Sequence, residues 1–421
     1  MYASIITIGD ELLIGQTIDT NSAFIAQEFN QVGIWVRRRV AVGDVAADIE
    51  HALDEEAQQS QIIILTGGLG PTADDITKPL LNAYFGGKMV IDTGVARHIE
   101  HLFHEIYRKP GPISERNKKQ AEVPDVAKVL HNARGSAPGM WFEKMVRNRP
   151  TVFISLPGVP HEMQGLLIDE VIPRLLQHFK FPHIVHRTAV TAGMGESYVA
   201  ERLLEFESKL PKHIKLAYLP AYGMVKLRLT SQGNNTEKLE AETELLFNEM
   251  TGLLEDILLS KKDEPVEVVI GHLLLQLGKT MSTAESCTGG NIAHTITRIP
   301  GSSNYYKGSI VSYDNTVKEA LLHVPANTLQ MQGAVSSETV AAMVKGALQQ
   351  IGTDYAVATS GIMGPDGGTS RKPVGTVWIA AGSEEKVVTR LLQLRFGREQ
   401  NIEIATIQAL LLLRKVILEQ N

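Results

Sequence analysis

From Ser4 the chain alternates short apolar runs with segments whose apolar residues recur at helical spacing: IITIG, NSAFIAQEFNQVG, IWVRRRV, DIEHALDEEAQ and IIILTGG. Buried parallel strands read as apolar runs bounded by glycine, and strands alternating with helices build βαβ units. This βαβαβ order predicts a doubly wound α/β domain. After a polar, proline-containing stretch the pattern resumes with TVFISLPGVP and a helix from about His161 to Phe179; the first domain is drawn over 1–170. Residues 171–260 change character, with HRTAVTA, KLAYLP and MVKLRLTSQ as strands around two helical patterns, which predicts a small α+β module. LLSKKDEP, ending in Pro265, reads as a charged linker before a new helix start. A third unit over 263–421 is again α/β: helix EVVIGHLLLQLG, strand TMSTAE, a helix after SCTGG, strand SIVSY, two helices, strands YAVATSG, VGTVWIAA and KVVTRLLQL, and a long last helix.

Composition narrows the function classes. At roughly 150 residues per domain, 421 residues suit about three domains. Hydrophobic content of 43% and charged content of 21% are those of globular domains, which excludes disorder and coiled coil. A net charge of −6 gives no general attraction for a polyanion. The middle module, with 10 basic and 10 acidic residues over 171–255, offers no basic patch either, so no nucleic-acid partner is expected. The single cysteine, Cys287, fits a reducing compartment. With no signal-peptide pattern and no long apolar run, a cytoplasmic protein without a membrane partner is expected.

The first chemical signal is TGGLGPTADD, Thr66 to Asp75, directly after an apolar strand. Ligands of open α/β sheets sit beyond the carboxyl ends of strands, where a glycine-rich turn brings N–H groups to phosphate oxygens. Gly67, Gly68, Gly70 and Thr72 are the expected cradle. Gly68, Gly70 and Ala73 also fit G-x-G-x-x-A, but Pro71 occupies the tight turn and the strand is the third of its unit, which counts against a dinucleotide fold. Asp74 and Asp75 place two carboxylates beside the phosphates, a pattern suited to a divalent cation acting on a pyrophosphate; helix capping is the competing explanation. Asp10, Glu11 and Asp44 lie at other strand ends.

The second signal is TAESCTGGNIAH, which sets Ser286 beside a helix N-terminus. A serine there is often only a cap. Lys318, in YDNTVK, comes 32 residues later, one βα step away, and a desolvated lysine near a serine hydroxyl can act as its base. GIMGPDGGTSRKPVGT carries five glycines after a strand, enough to offer backbone donors to an oxyanion or phosphate, and Arg398 opens the last helix. QLGKT is no P-loop, because its glycines are seven positions apart rather than five. G-x-S-x-G and H-E-x-x-H are absent, Cys287 has no accompanying histidine motif, and His98 with His101 lacks a third metal ligand.

GDELLIGQTIDTNS, VGD at 42–44, TGGLGPTADDITK, RN at 116–117, GSAPG at 135–139 and LPGVPHEM at 156–163 together resemble the molybdopterin-binding-like domain of the CinA family. The middle module resembles that family's KH-like domain. AESCTGG, PGSS, GSIVSYDNTVK, GAVSSET and SGIMGPDGG…KPVGT resemble its C-terminal nicotinamide-nucleotide amidase domain. The resemblance implies metal-dependent hydrolysis of ADP-ribose to AMP and ribose 5-phosphate in the first domain. There Asp44 and Asp75 match the active-site acidic pair, and Asp10, Asp74 and Asp75 are the expected metal ligands. It implies deamidation of nicotinamide mononucleotide in the third domain, without a cofactor. Ser286 then matches the nucleophile, Lys318 the base, Tyr313 the tyrosine preceding it, Ser360 a pocket hydroxyl and Arg398 a basic residue near the phosphate; Thr288, Gly289, Gly290, Gly361 and Gly364 complete the expected substrate contacts. Two departures stand out: Ile362-Met363-Gly364 where the family often has Ile-Ala-Gly, and Phe396-Gly397-Arg398 where it usually has Gly-Asp-Arg, which leaves Arg395 as an alternative to Arg398. The middle module lacks a G-x-x-G clamp, so a spacer or dimerisation role, and hence a homodimer, is expected. The rival expectation is a nucleotide- or molybdopterin-binding protein without N-terminal turnover, acting in competence or DNA repair.

Overall fold

The computed structural model describes every residue except Ala73, Asp74 and Pro110. The described chain forms two compact units, residues 1–184 with 232–236, and residues 185–231 with 237–421. The first contains a six-stranded sheet ordered Trp35–Val42, Tyr2–Ile8, Ile62–Thr66, Arg149–Leu156, Gly139–Val146, Lys128–Leu130. The first four strands run parallel and the last two pair antiparallel. Both faces are covered, and the strand Ile62–Thr66 shows why its sequence is apolar throughout. Ile62 and Ile64 pack with Ile5, Phe29 and Leu175 on one side, while Ile63 and Leu65 pack with Ile49, Leu53 and Phe153 on the other. From Tyr2–Ile8 the chain first adds Trp35–Val42 on one flank and then Ile62–Thr66 on the other. The sheet order therefore reverses there, opening a crevice beyond the carboxyl ends of these strands.

The helix expected from His161 to Phe179 runs Pro160–His178, with a π-helical turn at Leu167–Val171. The boundary drawn at 170 falls inside it, and the compact unit continues to Ile184. The edge strand Lys128–Leu130 and its neighbour Gly139–Val146 lie in and beyond the stretch that reads as polar and irregular.

In the second unit the middle module is a four-stranded sheet, ordered Ile214–Ala221, Met224–Gly233, His183–Ala192, Leu258–Ser260, packed on the helices Glu196–Ser208 and Thr236–Gly252. The rest is a five-stranded sheet ordered Tyr306–Val311, Met281–Glu285, Tyr355–Gly361, Thr376–Gly382, Val387–Gln393. Its first three strands are parallel and the remaining pairs antiparallel. Helices Val266–Leu277 and Arg398–Gln420 cover one face; Ser337–Ile351 covers the other. Strand order reverses again, now beside Met281–Glu285, the strand that leads into Ser286. No described helix is long and apolar enough to cross a membrane.

Close approach of helix Ser337–Ile351 to helix Asn315–Leu322, which carries Lys318, depends on Gly346: a Cβ there would lie 2.0 Å from the Leu322 carbonyl oxygen. Alanine ordinarily stabilises a helix interior relative to glycine by roughly 0.5–1 kcal/mol. Gly346→Ala is instead expected to destabilise by roughly 1–3 kcal/mol through backbone displacement, read as an earlier denaturant midpoint. A later midpoint would show that the two helices do not meet this closely.

Candidate functional site

The strand Met281–Glu285 is buried along its length, and its last side chain organises the turn into the next helix. Glu285 is wholly buried. Its Oε2 accepts from Thr288 Oγ1 (2.7 Å), Gly290 N (3.1 Å) and Ile292 N (3.0 Å), and its Oε1 from Ala293 N (2.8 Å). One carboxylate thus satisfies the orphan donors at the start of helix Asn291–Thr297. The tight return this needs runs through Gly289 and Gly290 at φ 63° and 97°, a region costly for any side chain. These bonds bear on Thr288, Gly289 and Gly290, the expected substrate contacts. The N–H of Gly290 is spent on Glu285, Thr288 is buried with its hydroxyl on Glu285 and Thr359, and none of the three lines the adjoining cavity. Sequence reasoning passed over Glu285; its signal is an acidic residue closing an otherwise buried strand.

Ser286 comes next in the chain, its N–H fixed on the Thr359 carbonyl at 3.0 Å. Lys318 is brought to it by helix Asn315–Leu322, whose N-cap Asp314 accepts from Thr316 N at 2.8 Å. Only 1% of Lys318 is exposed, and its Nζ lies 3.1 Å from Ser286 Oγ, 2.7 Å from the Ser312 carbonyl and 3.2 Å from that of Tyr313. Burial pushes its pKa below the ordinary 10.5. With two carbonyls taking two hydrogens, a neutral amine here directs its lone pair at the serine hydroxyl. Burial also pushes the neighbouring Cys287 thiol up to about 12, so at neutral pH Cys287 is a thiol and a poor nucleophile.

The cavity over this pair, about 170 Å³, is lined among others by Tyr313, Asn315, Ser360, Gly361, Met363 and Arg398. Arg398 donates to the Gly364 carbonyl (2.8 Å) and to the Tyr313 hydroxyl (3.1 Å), bridging the glycine-rich loop and the Lys318 segment. Arg395, the alternative, is exposed and does not line the cavity. Ser360 faces the cavity while donating to the Ala334 carbonyl at 2.7 Å. Two unforeseen supports frame these groups. Buried Asn401 ties the Met363 and Phe396 carbonyls on either side of Arg398, and Lys372 holds the Gln332 and Val335 carbonyls behind the cavity wall.

The crevice of the first unit holds a larger cavity, about 370 Å³, lined by Gly67, Gly68, Gly70, Asp44, Asp75 and neighbours. The glycines are sterically required: a Cβ at Gly67 would meet the Ile8 carbonyl at 2.2 Å, and one at Gly68 the Thr77 hydroxyl at 2.1 Å. Asp75 pins the loop, accepting from the Gly70 and Thr72 N–H groups at 2.8 Å each and from the Thr72 hydroxyl. Thr72 itself is not among the lining residues. Asp10 and Asp44 each accept the other's backbone N–H at 3.2 Å, and Asp10 does not line the cavity. Asp74 lies outside the described residues. No three described His, Cys, Asp or Glu side chains converge as a metal site, and the carboxylates of Asp10, Asp44 and Asp75 are engaged by backbone donors. The described residues therefore do not make a preformed metal site. Unforeseen is Lys78, buried against Gln120 O (3.1 Å) and Oε1 (3.3 Å), its pKa lowered to about 8 by burial.

Glu285→Gln replaces an acceptor of buried N–H groups by a donor. Losing even one hydrogen bond to a buried carboxylate costs roughly 1.5–3 kcal/mol, and the variant is expected to unfold at correspondingly lower denaturant. An unchanged midpoint would show that Glu285 does not hold the turn.

Comparison with known proteins agrees with this architecture. Residues 4–177 match the model of a probable molybdopterin binding domain, 186–257 that of the damage-inducible protein CinA KH domain, and 263–417 that of the CinA C-terminal domain. A CinA-like protein from Cytophaga hutchinsonii is 46% identical over 419 residues, covering 100% of this chain and 99% of its own. Another from Flavobacterium psychrophilum is 43% identical over 420 residues, with the same coverage. Among solved structures, the competence/damage inducible protein CihA from Agrobacterium tumefaciens is 38% identical at a TM-score of 0.35, over 36% of this chain and 92% of that one. On the full-length identity, the chain belongs to the CinA family.

Proposed function

We propose that the C-terminal site is an amidase that converts nicotinamide mononucleotide and water to nicotinate mononucleotide and ammonia. The observation that carries this reading is the buried Lys318 amine, 3.1 Å from Ser286 Oγ and hydrogen-bonded otherwise only to carbonyl oxygens among the described residues. Ser286 Oγ attacks the carboxamide carbon while neutral Lys318 takes its proton. As the C–N bond breaks, Lys318 returns that proton to the departing nitrogen, which leaves as ammonia. Water then repeats the attack on the acyl-serine, again through Lys318, and releases the carboxylate. Arg398, at the cavity rim, binds the substrate phosphate.

For the N-terminal site the proposed reaction is hydrolysis of ADP-ribose to AMP and ribose 5-phosphate, supported by a glycine cradle at a topological switch point. A divalent cation, the expected cofactor, would arrive with the pyrophosphate. A second reading, binding without turnover, is favoured by the engagement of Asp10, Asp44 and Asp75 with backbone donors. AMP release from ADP-ribose with magnesium, manganese or cobalt, against binding alone, separates the two. The proposed setting is a cytoplasmic homodimer acting on small nucleotides, with no nucleic-acid or membrane partner.

Ser286→Ala is expected to lower kcat for ammonia release by on the order of 10³-fold or more, whereas Cys287→Ala keeps it within about threefold, since a neutral buried thiol supplies no nucleophile. Retention of more than about a tenth of the wild-type kcat in Ser286→Ala would remove the serine from the chemistry. Arg398→Ala is expected chiefly to raise KM, by about 10- to 150-fold for a charge-assisted contact of roughly 1.5–3 kcal/mol. Kinetics on the mononucleotide and its dephosphorylated riboside check this. If both proteins discriminate equally between the two substrates, Arg398 does not read the phosphate.

A further inference from the structure

The cavity of the first unit contains a carboxyl group that neither pins the loop nor caps a helix. Glu162, in helix Pro160–Leu166, lines it together with Asp44, Asp75 and the glycine loop. Its surroundings differ from those of the aspartates, whose oxygens accept backbone N–H groups. Glu162 Oε2 accepts from Asn132 Nδ2 at 2.7 Å. Asn132 is only 3% exposed and is itself fixed, donating its other amide hydrogen to the Ala137 carbonyl (2.8 Å) and accepting from Arg134 N (3.0 Å). On the other side the carboxylate fills the space of a missing side chain. A Cβ at Gly135 would lie 2.1 Å from Glu162 Oε2 and 2.4 Å from Oε1. The segments GSAPG and LPGVPHEM thus meet at this one carboxyl group.

We propose that Glu162 is the catalytic base of the N-terminal site, taking the proton of the water that attacks the pyrophosphate. This rests on the reading that the site turns over ADP-ribose. The water oxygen forms a new bond to one phosphorus, its proton passes to the Glu162 carboxylate, and the bridging P–O bond breaks with its electron pair on the departing phosphate. AMP and ribose 5-phosphate leave, and Glu162 releases the proton to solvent. The charged or titratable groups around it are His161, beside it in the chain, and Glu11, Asp44 and Asp75 around the cavity; Arg134 is paired with Asp169 at 3.3 Å. Burial raises the Glu162 pKa above the ordinary 4.5, while the Asn132 donor and His161 oppose that rise. A base acts when deprotonated, so activity climbs with pH through this raised value, and loss of the Asn132 donor moves the climb to higher pH.

The test uses the full-length protein with ADP-ribose and excess manganese, following AMP release across pH, with AMP binding measured by calorimetry. Glu162→Gln is expected to lower kcat by roughly 10²–10⁴-fold, to abolish the acid limb, and to keep KM and the Kd for AMP within about threefold. Asn132→Leu, confirmed folded by its unfolding midpoint, is expected to shift that limb upward. A Glu162→Gln variant with near-wild-type kcat and an unchanged limb overturns the assignment, as does one that loses AMP binding in step with kcat. A wild-type protein that binds ADP-ribose yet releases no AMP at any pH overturns turnover itself, and with it the base.

Discussion

A lysine amine held out of water with only neutral oxygen partners is the constraint around which the C-terminal domain is arranged. Burial disfavours an ammonium in that position, and the nearby Asp314 carboxylate opposes this only in part, so the lysine pKa falls below its ordinary value. Asp314 caps the helix that carries Lys318 without hydrogen-bonding to its Nζ, and the Ser312 and Tyr313 carbonyls take the hydrogens that the amine retains. Ser286 then needs no further activation. Its own position is set by Glu285, whose bonds to three backbone N–H groups define the turn, and by the Thr359 carbonyl on the adjacent strand.

Both units solve the same placement problem. In each parallel portion the strand order reverses beside the first strand of the sheet, and the loops diverge there to leave a crevice. What fills the loops differs. The first unit brings glycines against neighbouring atoms and pins them with Asp75, leaving a wide cavity walled by the glycine loop and by acidic residues. The second draws its helix N-terminus shut with a buried carboxylate and leaves a smaller cavity, with serine, lysine and arginine at its walls. A helix N-terminus can serve an anion or its own chain, and in the second unit Glu285 takes that role.

The parallel strands and their helices were legible because strands buried on both faces carry unbroken apolar runs, as IIILT does. Ser286 and Lys318 were legible because a strand-end serine and a lysine one βα step on must meet at the same sheet edge. The strands Lys128–Leu130 and Gly139–Val146 were missed: the first is a short edge strand, and the second runs out into solvent, with Glu143, Lys144 and Met145 all exposed. Glu285, Asn132 and Asn401 were missed for another reason. Each is a polar side chain whose partners are atoms distant in the chain or in a neighbouring turn, and no spacing rule reveals them. The same blind spot hid the structural part that Thr288 and Gly290 play beside Glu285, since the carboxylate that takes the helix-start donors looks in sequence like an ordinary strand end.

The ionisation of Lys318 is the most direct test of the serine–lysine pair. Selective ¹³C labelling of the lysine side chains, with the Lys318 signal assigned by its loss in Lys318→Met, lets NMR follow the amine through a pH titration of the intact protein. The expected midpoint lies below 10.5, with the neutral amine accessible at the pH where ammonia is released. A midpoint at or above 10.5 would mean that Lys318 stays an ammonium beside Ser286, unable to take its proton, and would contradict the proposed dyad.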